Sequence, residues 1–201
     1  MTEFERALKG ELTPALRSVA DDERVEPETL RRLVAEGRAI ITGTARAHCR
    51  PIGIGAGLRT KVNANIGTSP AHDDLAVELE KLRVIIEAGA DAVMDLSTGG
   101  DLDAIRRTIL AQSTIPLGTV PIYQAIVETT RSGRDIADTE TDAFFEVVER
   151  QARDGVDFMT IHCGLVKRLA EAVASTRVAG VVSRGGSFLL QWMVANNKEN
   201  P

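Results

Sequence analysis

The chain has 201 residues, 43% of them apolar but only 3% aromatic, and a formal charge of −5. That length supports one core, and the composition fits an Ala/Val/Ile/Leu α/β domain with no break that marks a second globular unit. The negative balance speaks against a general nucleic-acid or anionic-membrane binder; no apolar run reaches a membrane span, Thr2-Glu3-Phe4-Glu5 is no signal peptide, and Cys49 and Cys163 lie far apart as in a reduced cytoplasmic protein.

Residues 2 to about 37 read as short helices. Thr13-Pro14 sets a capping residue before a proline at the first helical position, and Pro27 opens a segment in which Leu30, Leu33 and Val34 recur at helical spacing. Ala39-Ile40-Ile41 reads as a short strand, residues 42–50 as irregular chain, and Pro51-Ile52-Gly53-Ile54-Gly55-Ala56-Gly57 as a flexible approach to the first strand of the main unit. Because those glycines precede the strand, the dinucleotide-binding fingerprint does not apply. Residues 1–50 are therefore expected to form an N-terminal helical segment and linker, and residues 51–201 a β/α unit.

From there strands alternate with helices. Val62 to Ile66 is followed by an amphipathic run from Asp73 to Ala88, and Ala92 to Leu96 by a helix with Leu102, Ile105, Ile109 and Leu110 on one stripe. Pro116 to Pro121 is the third strand, with a helix from Ile122 to Thr130, a polar loop to Glu140 and a helix from Ala143 to Ala152 behind it. Phe158 to His162 is the fourth strand and Val178 to Ser183 the fifth, each leading into a helix; the last helix, Ser187 to Asn196, is apolar nearly all round and should be covered. Successive β/α units without a Rossmann fingerprint favour a (β/α) barrel. A closed barrel needs eight strands and about 250 residues, so the expected class is an incomplete (β/α)8 TIM-type barrel of about five units.

In such a fold the carboxyl ends of the strands share one mouth, where ligands bind. Asn63 and Asn65 share a face of a strand expected to be buried, where amides want partners. Met94 reads as core by itself, and Asp95 either binds a substrate amine or caps the next turn. Tyr123 follows Pro121 with a hydroxyl able to reach a ligand, and His162 is either a ligand residue or a satisfied structural histidine. Ser183-Arg184-Gly185-Gly186-Ser187 is the most specific local signal: a hydroxyl, a guanidinium, free amides and a helix start make a phosphate or carboxylate site, the alternative being an ordinary tight turn. Arg59 and Lys61 add positive charge, though at the strand's start. Residue chemistry alone thus leads to a barrel-like protein that binds a small phosphorylated polar molecule.

Several runs together go further. Residues 57–69, Met94-Asp95-Leu96-Ser97-Thr98-Gly99-Gly100-Asp101, Gly118-Thr119-Val120-Pro121-Ile122-Tyr123, residues 155–164 and Ser183-Arg184-Gly185-Gly186-Ser187 resemble, in order, the phosphomethylpyrimidine synthase (ThiC) family of thiamine biosynthesis. The resemblance implies a radical S-adenosylmethionine lyase with a [4Fe-4S] cluster and zinc. Such an enzyme rearranges 5-aminoimidazole ribonucleotide into 4-amino-5-hydroxymethyl-2-methylpyrimidine phosphate, with carbon monoxide and formate released. It implies substrate contacts at Asn65, Met94, Tyr123, His162, Ser183, Arg184 and Gly185, the methionine against its reading as core, and a homodimer. Ala56 stands where many relatives carry lysine, and residues 42–48 depart from the family's usual run. The family's later Asp-Gly-Leu-Arg segment, its two zinc histidines and its three clustered cysteines have no counterpart in the 201 residues, so the chain alone is expected to be inactive. The 5-hydroxybenzimidazole synthase paralogue shares the substrate motifs. A ribonucleotide-binding protein, or half of an enzyme completed by a complementary C-terminal chain, is a reading of another class.

Overall fold

The computed structural model describes residues 1–43 and 46–201, with the side chains of residues 171 and 174 left aside. Three short helices open it, α1 (Glu3–Leu8), α2 (Pro14–Glu23) and α3 (Pro27–Ala35). Thr2 and Glu5 close a capping box on α1, and the Thr13 hydroxyl accepts the Leu16 N–H at the start of α2. Their inner faces, Ala7, Leu16, Val19, Leu30 and Val34, build a small core of their own.

The strand β1 (Ala39–Thr42) pairs antiparallel with β2 (Ile52–Gly55), from Ala39 opposite Gly55 to Thr42 opposite Ile52. The sequence reading took 51–57 for a flexible approach. Alternating glycine does look like flexible chain, but β1 supplies the backbone partners that make it a strand. The expected irregular stretch over 42–50 includes residues 44 and 45, which lie outside the described residues.

The main unit is a four-stranded sheet of β3 (Asn63–Ile66), β4 (Ala92–Asp95), β5 (Leu117–Thr119) and β6 (Phe158–Met159), in that order and all parallel. Between and after the strands run α4 (Leu75–Glu87), α5 (Leu102–Gln112), α6 (Pro121–Arg131), α7 (Thr141–Arg153), α8 (Lys167–Thr176) and α9 (Arg184–Asn196). Sequential parallel neighbours joined by helices are the α/β pattern that the sequence predicts. Ile66, Val93 and Leu117 share one face and pack with Leu82, Ile105 and Ile109 of α4 and α5 into the main core. Thr119 on that same face donates to Gln151 of α7 at 2.7 Å. The opposite face carries Asn63, Asn65, Met94, Gly118 and Phe158, of which the two asparagines are exposed and Met94 and Phe158 half-buried.

Two expectations need correction. Residues 178–183 form no strand, so the described residues hold four parallel strands and not five. The valines there read as β-formers, but Gly180 turns the chain with φ of 60° and leaves Val178 and Val182 in solvent. The polar stretch before Glu140 is also more than surface loop. It contains a 3-10 turn (Ile136–Asp138), and the carbonyl of buried Thr139 accepts the Trp192 indole N–H at 2.7 Å. That bond helps to cover α9, whose Leu189, Trp192 and Met193 are buried against Ile122, Phe144 and Leu165.

Charged side chains fasten the N-terminal helices and hairpin to the amino ends of the strands. Arg46 donates to the carbonyls of Leu110, Ser113 and Ile115 and to the Asp157 carboxylate at 2.5 Å, with both charged side chains almost fully buried. Arg59 forks onto Asp91 at 2.8 and 2.5 Å, and Lys61 meets Glu23 at 2.8 Å.

Candidate functional site

Asn65 on β3 and Met94 on β4 stand side by side in register on the uncovered face. Asn65 accepts a hydrogen bond from the Asn63 amide at 3.2 Å, and both are exposed. The strand expected to be buried is therefore open on their side, and the amides need no protein network there. Met94 turns away from the core that holds its neighbour Val93, and its sulfur accepts the Thr160 hydroxyl at 3.9 Å. The alternative left open for Asp95 resolves toward the cap. Its carboxylate is buried and accepts the Ser97 N–H at 2.9 Å, while Ser97 Oγ accepts the Thr68 N–H at 3.0 Å. Burial pushes the Asp95 carboxyl above the usual carboxylate range.

Tyr123, His162, Ser183, Arg184 and Gly185 meet around the first turn of α9. Tyr123 enters from the first turn of α6, with the Arg184 guanidinium 5.5 Å from its ring centroid and Phe188 edge-on at 6.3 Å. Ser183 caps α9 by accepting the Gly186 N–H at 3.2 Å, and its hydroxyl lies 3.0 Å from His162 Nε2. The imidazole lies against the backbone of Gly185, where a Cβ would overlap its Cε1. Burial lowers the His162 pKa, which makes the neutral ring the prevailing form at pH 7, and Nδ1 is buried without a partner among the described residues. Main-chain 162 is held from the other side, since the Asn200 amide donates to its carbonyl at 2.9 Å.

The seven expected residues thus fall into two groups. Asn65 and Met94 lie on the open sheet face, and the other five lie at the amino end of α9. Thr160 links them, touching Met94 and lying two positions before His162 in the chain. Sequence reasoning passed it over, although alternation with Phe158 and His162 was the available signal. Phe188, which edges Tyr123, was read only as part of an apolar helix. Arg59 and Lys61 stay at the strand starts, engaged with Asp91 and Glu23, and take no part in either group.

Chemically, the amino end of a 13-residue helix, an exposed guanidinium and a neutral imidazole make a receptor for an anionic group. The amides and thioether on the sheet face suit a polar ring or sugar. Among the described residues no three His, Cys, Asp or Glu side chains are grouped to hold a metal ion. Cys49 is buried, with its thiol pushed up to about 11, and Cys163 is exposed in the chain after β6.

Fold and geometry together define an α/β protein with a parallel sheet open on one face and a cluster of polar side chains around the amino end of its last helix. Residues 2–201 match the radical SAM ThiC family, and the chain belongs to it. It is 50% identical over 203 residues to the phosphomethylpyrimidine synthase of Desulforamulus reducens, covering 100% of this chain and 47% of that protein. The namesake from Moorella thermoacetica is 51% identical over 203 residues, with the same shares covered. That from Methanopyrus kandleri is 49% identical over 189 residues, which are 92% of this chain and 44% of the relative. The chain therefore spans about half the length of the curated relatives it matches.

Proposed function

We propose that the chain is the ribonucleotide-binding part of a phosphomethylpyrimidine synthase of thiamine biosynthesis. In this reading the whole enzyme rearranges 5-aminoimidazole ribonucleotide into 4-amino-5-hydroxymethyl-2-methylpyrimidine phosphate, releasing carbon monoxide and formate. The observation that carries the reading is the Tyr123–Arg184–Ser183–His162 cluster at the start of α9, in a chain matched to the family over residues 2–201. The Arg184 and Gly185 amides at the start of α9 and the Arg184 fork hold the phosphate, with the Tyr123 ring keeping the guanidinium in place. Neutral His162, bonded to Ser183, offers a hydrogen bond without adding charge. Asn65 meets the polar ring or sugar, and Met94 forms its apolar wall.

In the same proposal residues 1–50 form the N-terminal segment and residues 51–201 the first part of a (β/α)8 barrel. The strands that complete it cover the face bearing Asn65 and Met94. The working enzyme is a cytoplasmic homodimer, or this chain joined by a complementary one. The [4Fe-4S] cluster and zinc that the family reading implies do not fit the described residues. One protonated buried thiol and one exposed thiol are too few for a cluster, and among the described residues no His/Cys/Asp/Glu group suits zinc. No reaction step is assigned to these residues, and the chain alone is expected to produce no 5′-deoxyadenosine from S-adenosylmethionine.

Calorimetric titration with 5-aminoimidazole ribonucleotide tests the binding role. The unmodified chain is expected to bind, and Arg184→Ala to bind about 10- to 100-fold more weakly, as loss of a charge-assisted contact implies. Equal affinities would remove Arg184 from the site.

A further inference from the structure

Thr160 extends β6 by one step: its N–H donates to the Thr119 carbonyl at 2.8 Å. That bond fixes the sense of its side chain, which alternates with Met159 and so points to the open face with Phe158 and Met94. The residue is exposed, and among the described residues its hydroxyl finds one partner, the Met94 sulfur at 3.9 Å. A thioether is a weak acceptor, and at that length it gives the hydroxyl little reason to stay. A valine would serve strand and packing equally well at this place, so the local structure has no use for the oxygen.

The position matters as much as the chemistry. Thr160 touches Met94, next to Asn65 on the sheet face, and lies two residues before His162 in the group at α9. Thr160 is thereby the residue that connects the two groups, through its contact with Met94 and its place in the chain two positions before His162. We propose that Thr160 is a further ligand-contacting residue, whose hydroxyl leaves the Met94 sulfur and hydrogen-bonds a sugar hydroxyl of a bound ribonucleotide. The proposal rests on the reading of the site as a ribonucleotide receptor.

The test is calorimetric titration of 5-aminoimidazole ribonucleotide into the unmodified chain, Thr160→Val, Thr160→Ser and Arg184→Ala, with thermal melts of each. Thr160→Val keeps the shape and removes the oxygen, and is expected to weaken binding about five- to tenfold, whereas Thr160→Ser stays within about twofold. If Thr160→Val melts early, Thr160→Ala is read in its place. Undiminished affinity in Thr160→Val alongside weakened Arg184→Ala overturns the role of Thr160 and leaves the site reading standing. Equal losses in the Val and Ser variants overturn it as well, because the hydroxyl is then not the cause. No binding by the unmodified chain removes both.

Discussion

A methyl group on Gly185 would collide with the His162 ring, and the same ring keeps its place through Ser183 Oγ at 3.0 Å. Gly185→Ala is therefore expected to push the imidazole off Ser183 and weaken ribonucleotide binding at least about tenfold, a loss of about 1.4 kcal/mol or more by calorimetry. The pH dependence has a definite sign. Burial depresses the His162 pKa, so the unfolded chain binds the proton more readily than the folded one. The stability this histidine contributes is full above the ordinary imidazole pKa and is lost as pH falls through its lowered value. Melting temperature should drop on that acid limb, and His162→Gln should flatten the drop. At this scale the Ser183-Arg184-Gly185 signal was legible because capping and anion binding are local chemistry. The contact between Gly185 and His162 was not, since it joins positions brought together only by the packing of α9 onto the chain after β6.

The stripe that predicts α5 places Leu102, Ile105, Ile109 and Leu110 correctly in the core, yet the same helix also buries Arg106. Its guanidinium donates to Asp154 at 3.0 and 2.5 Å, to Asp103 at 2.6 Å and to Gln124 at 2.7 Å, which ties α5 to α6 and to the end of α7. Gln124 in turn accepts from Gln151 at 2.9 Å, so one cation organises polar groups from three helices. Arg106→Leu takes the ion-pair partner from Asp154 and one donor each from Asp103 and Gln124, with an expected cost of about 3 kcal/mol read from the chemical-denaturation midpoint. An arginine in a helix reads as solvated, which is why sequence alone did not find this layer; its partners lie up to 48 positions away. The strand β2 and the missing strand at 178–183 failed for a related reason. Whether an extended run pairs depends on an edge to pair with, and no local pattern contains that information.

Over the whole molecule, the order of helices and parallel strands was readable because each unit carries its own periodicity and punctuation. The openness of one sheet face was not readable from that pattern. Parallel sheets are ordinarily covered on both faces, whereas here Asn63, Asn65 and Thr160 are exposed and Met94 is half-buried. The isolated chain is expected to self-associate through this uncovered face in size-exclusion chromatography, with a lone monomer as the contrary result. The buried Arg46–Asp157 pair has a consequence for the newborn polypeptide. The two residues are 111 positions apart, which at ribosomal rates of about 5 to 20 residues per second means a wait of roughly 6 to 22 seconds before the arginine meets its anion. Through that interval the early helices can assemble but the clasp beneath the strands stays undone, and a nascent chain halted before residue 157 should leave the 39–55 hairpin open to proteases.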